Sequence, residues 1–203
     1  MGTSNLTLAG HLWPASTMNW TRTILLAILG SVVVTIAAQI SVPMLPVPMT
    51  MQTLAVLAVG AAYGARLGAI TLALYAVGGA AGLPVFANFQ AGMFLPTGEI
   101  IATGGYIIGF IAAAGLVGHL IEKGWGANVL KLCGAMLLGA AIIYVPGLIW
   151  LVGWLAVMKG MDVMSAIAIA LTTGALPFIL GDLIKAVLAA LAFPAAFSLL
   201  GRR

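Results

Sequence analysis

The chain has 203 residues, 63% of them hydrophobic and only 6% charged, far below the roughly 25% charge of a soluble domain, so water is excluded as its main solvent. At about 20 residues per crossing there is room for six or seven membrane helices and no added domain. The net charge of +4 comes from basic residues scattered singly along the chain, which excludes a nucleic-acid patch; the lone Cys133 excludes an internal disulfide or a cysteine-based metal cluster.

The stretch before Asn19 is mildly polar and lacks a basic start and a small-residue cleavage site, so Thr23 to Ile40 reads as a retained first helix. Further apolar segments follow at Met51 to Tyr63, Leu67 to Leu83, Ile100 to Ile121, Val129 to Val157 and Ser165 to Leu199. The second is short for a span and needs either the preceding Pro-rich turn or a tilt to complete it. Pro146 with Gly147, and Pro177 with Gly181, are places where the last two segments can break. The expectation is an all-α membrane protein, a bundle of six transmembrane helices forming one domain over residues 1–203. Within it, 1–22 is a short N-terminal segment, 23–199 the bundle and 200–203 a cytoplasmic tail. Arg22, Arg66, Lys123, Lys131, Arg202 and Arg203 fall on the side of the termini and only Lys159 on the other, which predicts that both termini are cytoplasmic. Recurrent glycines, among them Gly60, Gly68, Gly105 and Gly109, predict close helix packing.

Chemistry concentrates in three places. Gly181-Asp-Leu-Ile-Lys185 sets a carboxylate and an ammonium three residues apart on one helix face. Each would cost at least about 2.5 kcal/mol at the bilayer centre, so Asp182 and Lys185 should face a cavity or each other. A self-compensating structural pair is the plain alternative, but a buried pair rarely adds net stability. Together the two groups suit a bifunctional ligand, Asp182 accepting from an N–H and Lys185 meeting a carboxylate.

The second place is Ser41 to Thr53, where Pro43, Pro46 and Pro48 stiffen an external connection and Thr50, Gln52 and Thr53 stand at the mouth of the next helix, as ligand contacts or as caps. The third runs from Gly78 through Phe86, Asn88, Phe89 and Gln90 to Glu99, Thr103 and Tyr106. Its glycines allow close backbone approach and its aromatics could wall a ring system, or simply sit at the lipid boundary with Trp150 and Trp154. His119, Glu122 and Lys123 lack a second His or Cys to complete a metal set, and no nucleophile, acid pair or phosphate-cradling loop is present to suggest an enzyme or ATPase. No metal and no cofactor is expected.

Four ordered motifs carry a resemblance: Pro48-Met-Thr-Met-Gln-Thr-Leu-Ala-Val-Leu, Gly78-Gly-Ala-Ala-Gly-Leu-Pro-Val-Phe, Thr103-Gly-Gly-Tyr-Ile-Ile-Gly-Phe and Leu176-Pro-Phe-Ile-Leu-Gly-Asp-Leu-Ile-Lys. From about Ile24 to Ala190 the chain resembles the BioY family, biotin-specific substrate-capture (S) components of energy-coupling-factor transporters. The resemblance implies biotin as transported ligand, a lipid bilayer in the cytoplasmic membrane of a prokaryote, a transmembrane coupling protein and ATPase subunits as partners, or transport by the chain alone; a homo-oligomer is left open. It implies ligand contacts at Asp182, Lys185, Tyr106 and Asn88, beside Gln52, Thr50, Phe86 and Thr103 from the residue pattern. Here Leu95-Pro-Thr-Gly-Glu and Ala102-Thr-Gly-Gly-Tyr replace the family's single Gly-Pro-Thr-Gly-Gly-Tyr. Ala27 and Ser31 are the nearest match to the family's small-residue stripe for docking the coupling protein. The alternatives are an S component for another vitamin, or a proton-coupled carrier that titrates Asp182 and Glu99.

Overall fold

The computed structural model describes Thr7 and residues 19–94 and 100–200, with backbone alone for residues 190 and 192–200. Among these residues the chain is almost entirely helical. Helix α1 (Trp20–Gln39) begins at Asn19, whose side chain accepts the Arg22 N–H at 3.0 Å and so satisfies one of the orphan donors of the first turn. A two-stranded hairpin follows, β1 (Ser41–Val42) pairing antiparallel with β2 (Met49–Thr50). Pro43, Pro46 and Pro48 lie between and beside these strands, where the missing N–H groups stop the ladder from lengthening. Then come α2 (Gln52–Tyr63), α3 (Ala65–Ala80), a 3-10 turn (Ala87–Phe89), α4 (Gly104–Glu122), α5 (Val129–Met158), α6 (Val163–Gly174) and α7 (Leu176–Leu200).

Trp20–Gln39, Gly104–Glu122, Val129–Met158 and the α6–α7 stretch Val163–Ala189 are long and apolar enough to cross a membrane, whereas α2 and α3 are shorter apolar helices. The expected second and third segments therefore exist as helices, of 12 and 16 residues, or roughly 18 and 24 Å long. Between them Gly64 turns the chain at φ +83°, a conformation costly for any residue with a Cβ. The turn is closed from outside: Glu122 Oε1, at the end of α4, accepts the Ala65 N–H at 2.9 Å and caps α3. Glu122 thus has a partner within the bundle. The same contact sets Arg66 and Lys123 at one end of the bundle.

The expected single segment from Ser165 to Leu199 is two helices, and the reason lies at Pro177. Proline offers no N–H to the Thr173 carbonyl, and the Phe178 N–H turns back to the Ala175 carbonyl at 2.9 Å. Ala175 leaves helical geometry at φ −128°, ψ −60°. The Gly174 carbonyl, deprived of its helical donor, accepts instead from the Tyr106 hydroxyl at 2.8 Å. Pro146, by contrast, is carried inside α5 without ending it. At the start of α6 the exposed Asp162 accepts the Ser165 N–H at 3.0 Å, and hydrogen bonding from Ser165 lowers its pKa below the usual carboxylate value.

Helix α4 is the central post of the bundle, with 61% of its span buried against 22% for α1. Its glycines make this possible. A Cβ at Gly105 would lie 2.2 Å from the Pro146 carbonyl oxygen and 2.3 Å from Trp150 Cβ, so α4 and α5 meet backbone to backbone. The outer surface is apolar: α1 exposes Leu25, Leu29 and Ile36, and α7 exposes Ile179, Leu180 and Ile184. On α7 the inward stripe is Phe178, Asp182, Lys185, Ala186 and Ala189, so the ionisable pair is turned inside while the outer face stays apolar.

Candidate functional site

A cavity of about 620 Å³, its open mouth included, lies at the hairpin end of the bundle. The wall is largely apolar and aromatic, with Val47, Tyr75, Phe86, Tyr106, Phe110 and Phe178 among its residues. Its polar groups converge on one spot, where Asp182 and Lys185 are 6% and 8% exposed.

There, Lys185 Nζ donates to the Thr50 carbonyl at 2.8 Å, to Thr53 Oγ1 at 2.9 Å and to Asp182 Oδ1 at 3.0 Å. The ammonium has three protons, and all three are spent on the protein. Asp182 Oδ1 also accepts the Thr53 hydroxyl at 2.9 Å, and Oδ2 accepts a short hydrogen bond from the Tyr144 hydroxyl. The cluster ties α7 to β2, α2 and α5, and among the described residues no buried side-chain polar atom lacks a partner. A fully satisfied network of this kind holds its geometry before any ligand arrives.

Two further relays shape the wall. Gln52 donates through Nε2 to the Tyr75 hydroxyl, which donates to the Val85 carbonyl at 3.0 Å. Trp150 and Trp154 donate through Nε1 to the Ile101 and Ile100 carbonyls at 2.9 and 2.6 Å. These tryptophans hold the segment leading into Thr103 and Tyr106, a specific role that the lipid-boundary reading of the sequence did not supply.

Of the expected ligand contacts, Asp182, Lys185, Tyr106, Gln52, Thr50, Phe86 and Thr103 all line the cavity. Asn88 does not: it is exposed, at φ 57°, with Ser41 Oγ 3.5 Å from its Oδ1, and Ala87 takes the place in the wall. The left-handed turn carries its side chain away from the cavity. Glu99 lies outside the described residues. The expected docking pair, Ala27 and Ser31, lies on the side of α1 turned toward α3. Ala27 is 3% exposed and Ser31 Oγ donates to the Thr71 carbonyl of α3 at 3.0 Å, so both side chains serve packing within the bundle. Sequence reasoning missed Tyr144, whose hydroxyl inside an apolar segment was the available signal, because membrane-buried phenols need a partner.

The chain matches the BioY family model over residues 7–202. It is 36% identical to the biotin transporter BioY of Thermotoga maritima over 170 residues, covering 84% of this chain and 92% of that one. It is 32% identical to the biotin transporter BioY of Rhizobium etli over 177 residues, covering 83% and 88%. Its fold resembles the crystal structure at 2.1 Å of the S-component for biotin from an ECF-type ABC transporter, with a TM-score of 0.68 at 22% identity, covering 89% of this chain and 95% of that one. With nearly its whole length matched and a polar hub set in an apolar membrane-helix bundle, the chain belongs to the BioY family.

Proposed function

We propose that this chain captures biotin at the outer face of a prokaryotic cytoplasmic membrane, as the S component of an energy-coupling-factor transporter. In this reading residues 1–203 form one six-span domain, with α6 and α7 together making the sixth crossing and both termini in the cytoplasm. The charges support that orientation, because Arg66 and Lys123 sit at the Glu122 end of the bundle, while Lys159 lies over Trp154 at the cavity end. A coupling protein and ATPase subunits would supply the energy and the inward release.

The observation that carries the reading is the Asp182–Lys185 hub at the polar end of an aromatic cavity. Biotin pairs an apolar thioether ring and tail with a ureido group that both donates and accepts hydrogen bonds. Asp182 Oδ2, with one protein donor, keeps room to accept a ureido N–H, and Lys185 can exchange a protein acceptor for the ureido oxygen. This takes the second of the two roles the sequence leaves open to Lys185, the ureido oxygen in place of the ligand carboxylate, because its pairing with Asp182 at 3.0 Å already offsets its charge. The names of the relatives support biotin over another vitamin.

The test is equilibrium binding of radiolabelled biotin to purified protein, wild type beside Asp182→Asn, with other vitamins as competitors. Selective binding that the variant weakens by about a hundredfold, or about 2.7 kcal/mol, is expected. Absence of binding to folded wild-type protein would withdraw biotin as the ligand.

A further inference from the structure

Between α3 and α4 the chain runs through an exposed loop that nonetheless contributes a buried side chain to the cavity. Residues 81–84 and 88–90 are exposed, yet Phe86 between them is 2% exposed and lines the site. Its ring meets Tyr75 edge-on at 5.6 Å between centroids. It also fills the space over Gly79, where a Cβ would lie 2.2 Å from Phe86 Cζ.

The loop has to be held to keep this ring in place, because its own geometry is unfavourable. Asn88 and Phe89 follow one another at φ 57° and 56°, a left-handed region that non-glycine residues rarely occupy and bulky ones least of all. Within the loop the Phe86 N–H donates to the Gln90 carbonyl at 3.1 Å, and three side chains reach it from outside. Tyr75 takes the Val85 carbonyl, as described, and Ser41 Oγ lies 3.5 Å from Asn88 Oδ1. Gln39, the last residue of α1, holds the turn itself: its Nε2 donates to the Phe86 carbonyl at 3.0 Å and its Oε1 accepts the Phe89 N–H at 3.0 Å. One amide thus brackets the strained turn from both sides. A third bond, from Nε2 to the Thr35 carbonyl at 3.2 Å, fixes the amide to its own helix. Gln39 is half-buried and does not line the cavity.

We propose that Gln39 is a positioning residue for the bound ligand: it clamps the 86–89 turn so that Phe86 closes the cavity wall, and it thereby controls how fast the ligand leaves. A ligand enters and leaves only while Phe86 is withdrawn, so a weaker clamp raises the open fraction, speeds both steps and shortens residence. Because Gln39 ends α1, the hold on Phe86 depends on where that helix sits.

The experiment has two arms, of which only the second rests on biotin being the ligand. The first is hydrogen exchange by mass spectrometry on unliganded wild type, Gln39→Leu and Gln39→Glu, read on peptides spanning residues 84–91. Gln39→Leu removes both bonds and is expected to speed exchange in this segment about tenfold, leaving α4 and α5 unchanged. Gln39→Glu keeps the acceptor for the Phe89 N–H but loses the donor to Phe86, and is expected to fall between the two. The second arm measures radiolabelled biotin kinetics on the same proteins. The dissociation rate of Gln39→Leu is expected to rise about tenfold, and the association rate to rise with it, because both steps wait on the same opening. A general loss of packing would instead lower the folded fraction and leave the dissociation rate of the surviving sites alone. Unchanged exchange at residues 84–91 in either folded variant would overturn the clamp, and Gln39→Glu decides it should Gln39→Leu fail to fold. Faster exchange with an unaltered dissociation rate would overturn control of ligand release. If wild type fails to bind biotin, the proposed ligand falls while the exchange arm still decides the clamp.

Discussion

Lys185 shows how a buried charge becomes usable. Its three donors are matched by a carbonyl, a hydroxyl and a carboxylate, so the cost of leaving water is offset before a ligand binds. If the pair meets a ureido group, Lys185→Ala should weaken binding of biotin and of an uncharged biotin amide by the same factor, measured by competition against labelled biotin. A loss confined to biotin would restore the carboxylate contact. Tyr144→Phe removes one hydrogen bond to Asp182, an interaction with a charged group worth about 1.5–3 kcal/mol. Thermal unfolding in detergent should fall accordingly, and biotin affinity should drop by roughly tenfold because Asp182 loses one of its restraints.

The helices differ in how their ends and contacts are built. Asn128 caps α5 by accepting the N–H groups of Leu130 and Lys131 at 2.9 and 3.1 Å; Asn128→Ala should cost about 1 kcal/mol, read as a lowered unfolding midpoint, with biotin affinity unchanged. Gly105 is the opposite case. Any Cβ there must part α4 from α5, so Gly105→Ala should destabilise by about 1–3 kcal/mol. It should also weaken biotin binding, because Tyr106 is the next residue. Equal affinity in Gly105→Ala would show that the α4–α5 contact does not position the wall. The segment from Ser165 was legible as apolar and Pro177 as a place where it can break, whereas Pro146 carried the same signal without a break. Only the structure shows Tyr106 covering the carbonyl that the break at Pro177 exposes.

At the scale of the whole molecule, the described surface is apolar around the bundle, and the buried charges Asp182 and Lys185 are gathered at one cavity. A capture subunit of this kind should bind biotin when purified alone but accumulate it in cells only beside a coupling protein and active ATPases. Uptake assays in a host lacking biotin transport, with and without that module, distinguish this from a solitary carrier. Composition and apolar run length determined that the chain belongs in a membrane, because burial of some twenty apolar residues per helix depends on residue type alone. Asp182 and Lys185 were legible for the same reason: an ionisable pair in an apolar helix must have a polar destination. The tertiary structure decided what the pair meets. Thr53 and Tyr144 reach Asp182 from positions 129 and 38 residues away. The inward turn of Ala27 and Ser31, the outward turn of Asn88 and the hold of Gln39 on Phe86 are likewise set by which helix faces pack together. A lipid-facing and a protein-facing side of a membrane helix are both apolar, so periodicity cannot tell them apart, and only the packed bundle fixes the rotation of each helix and the path of the loops between them.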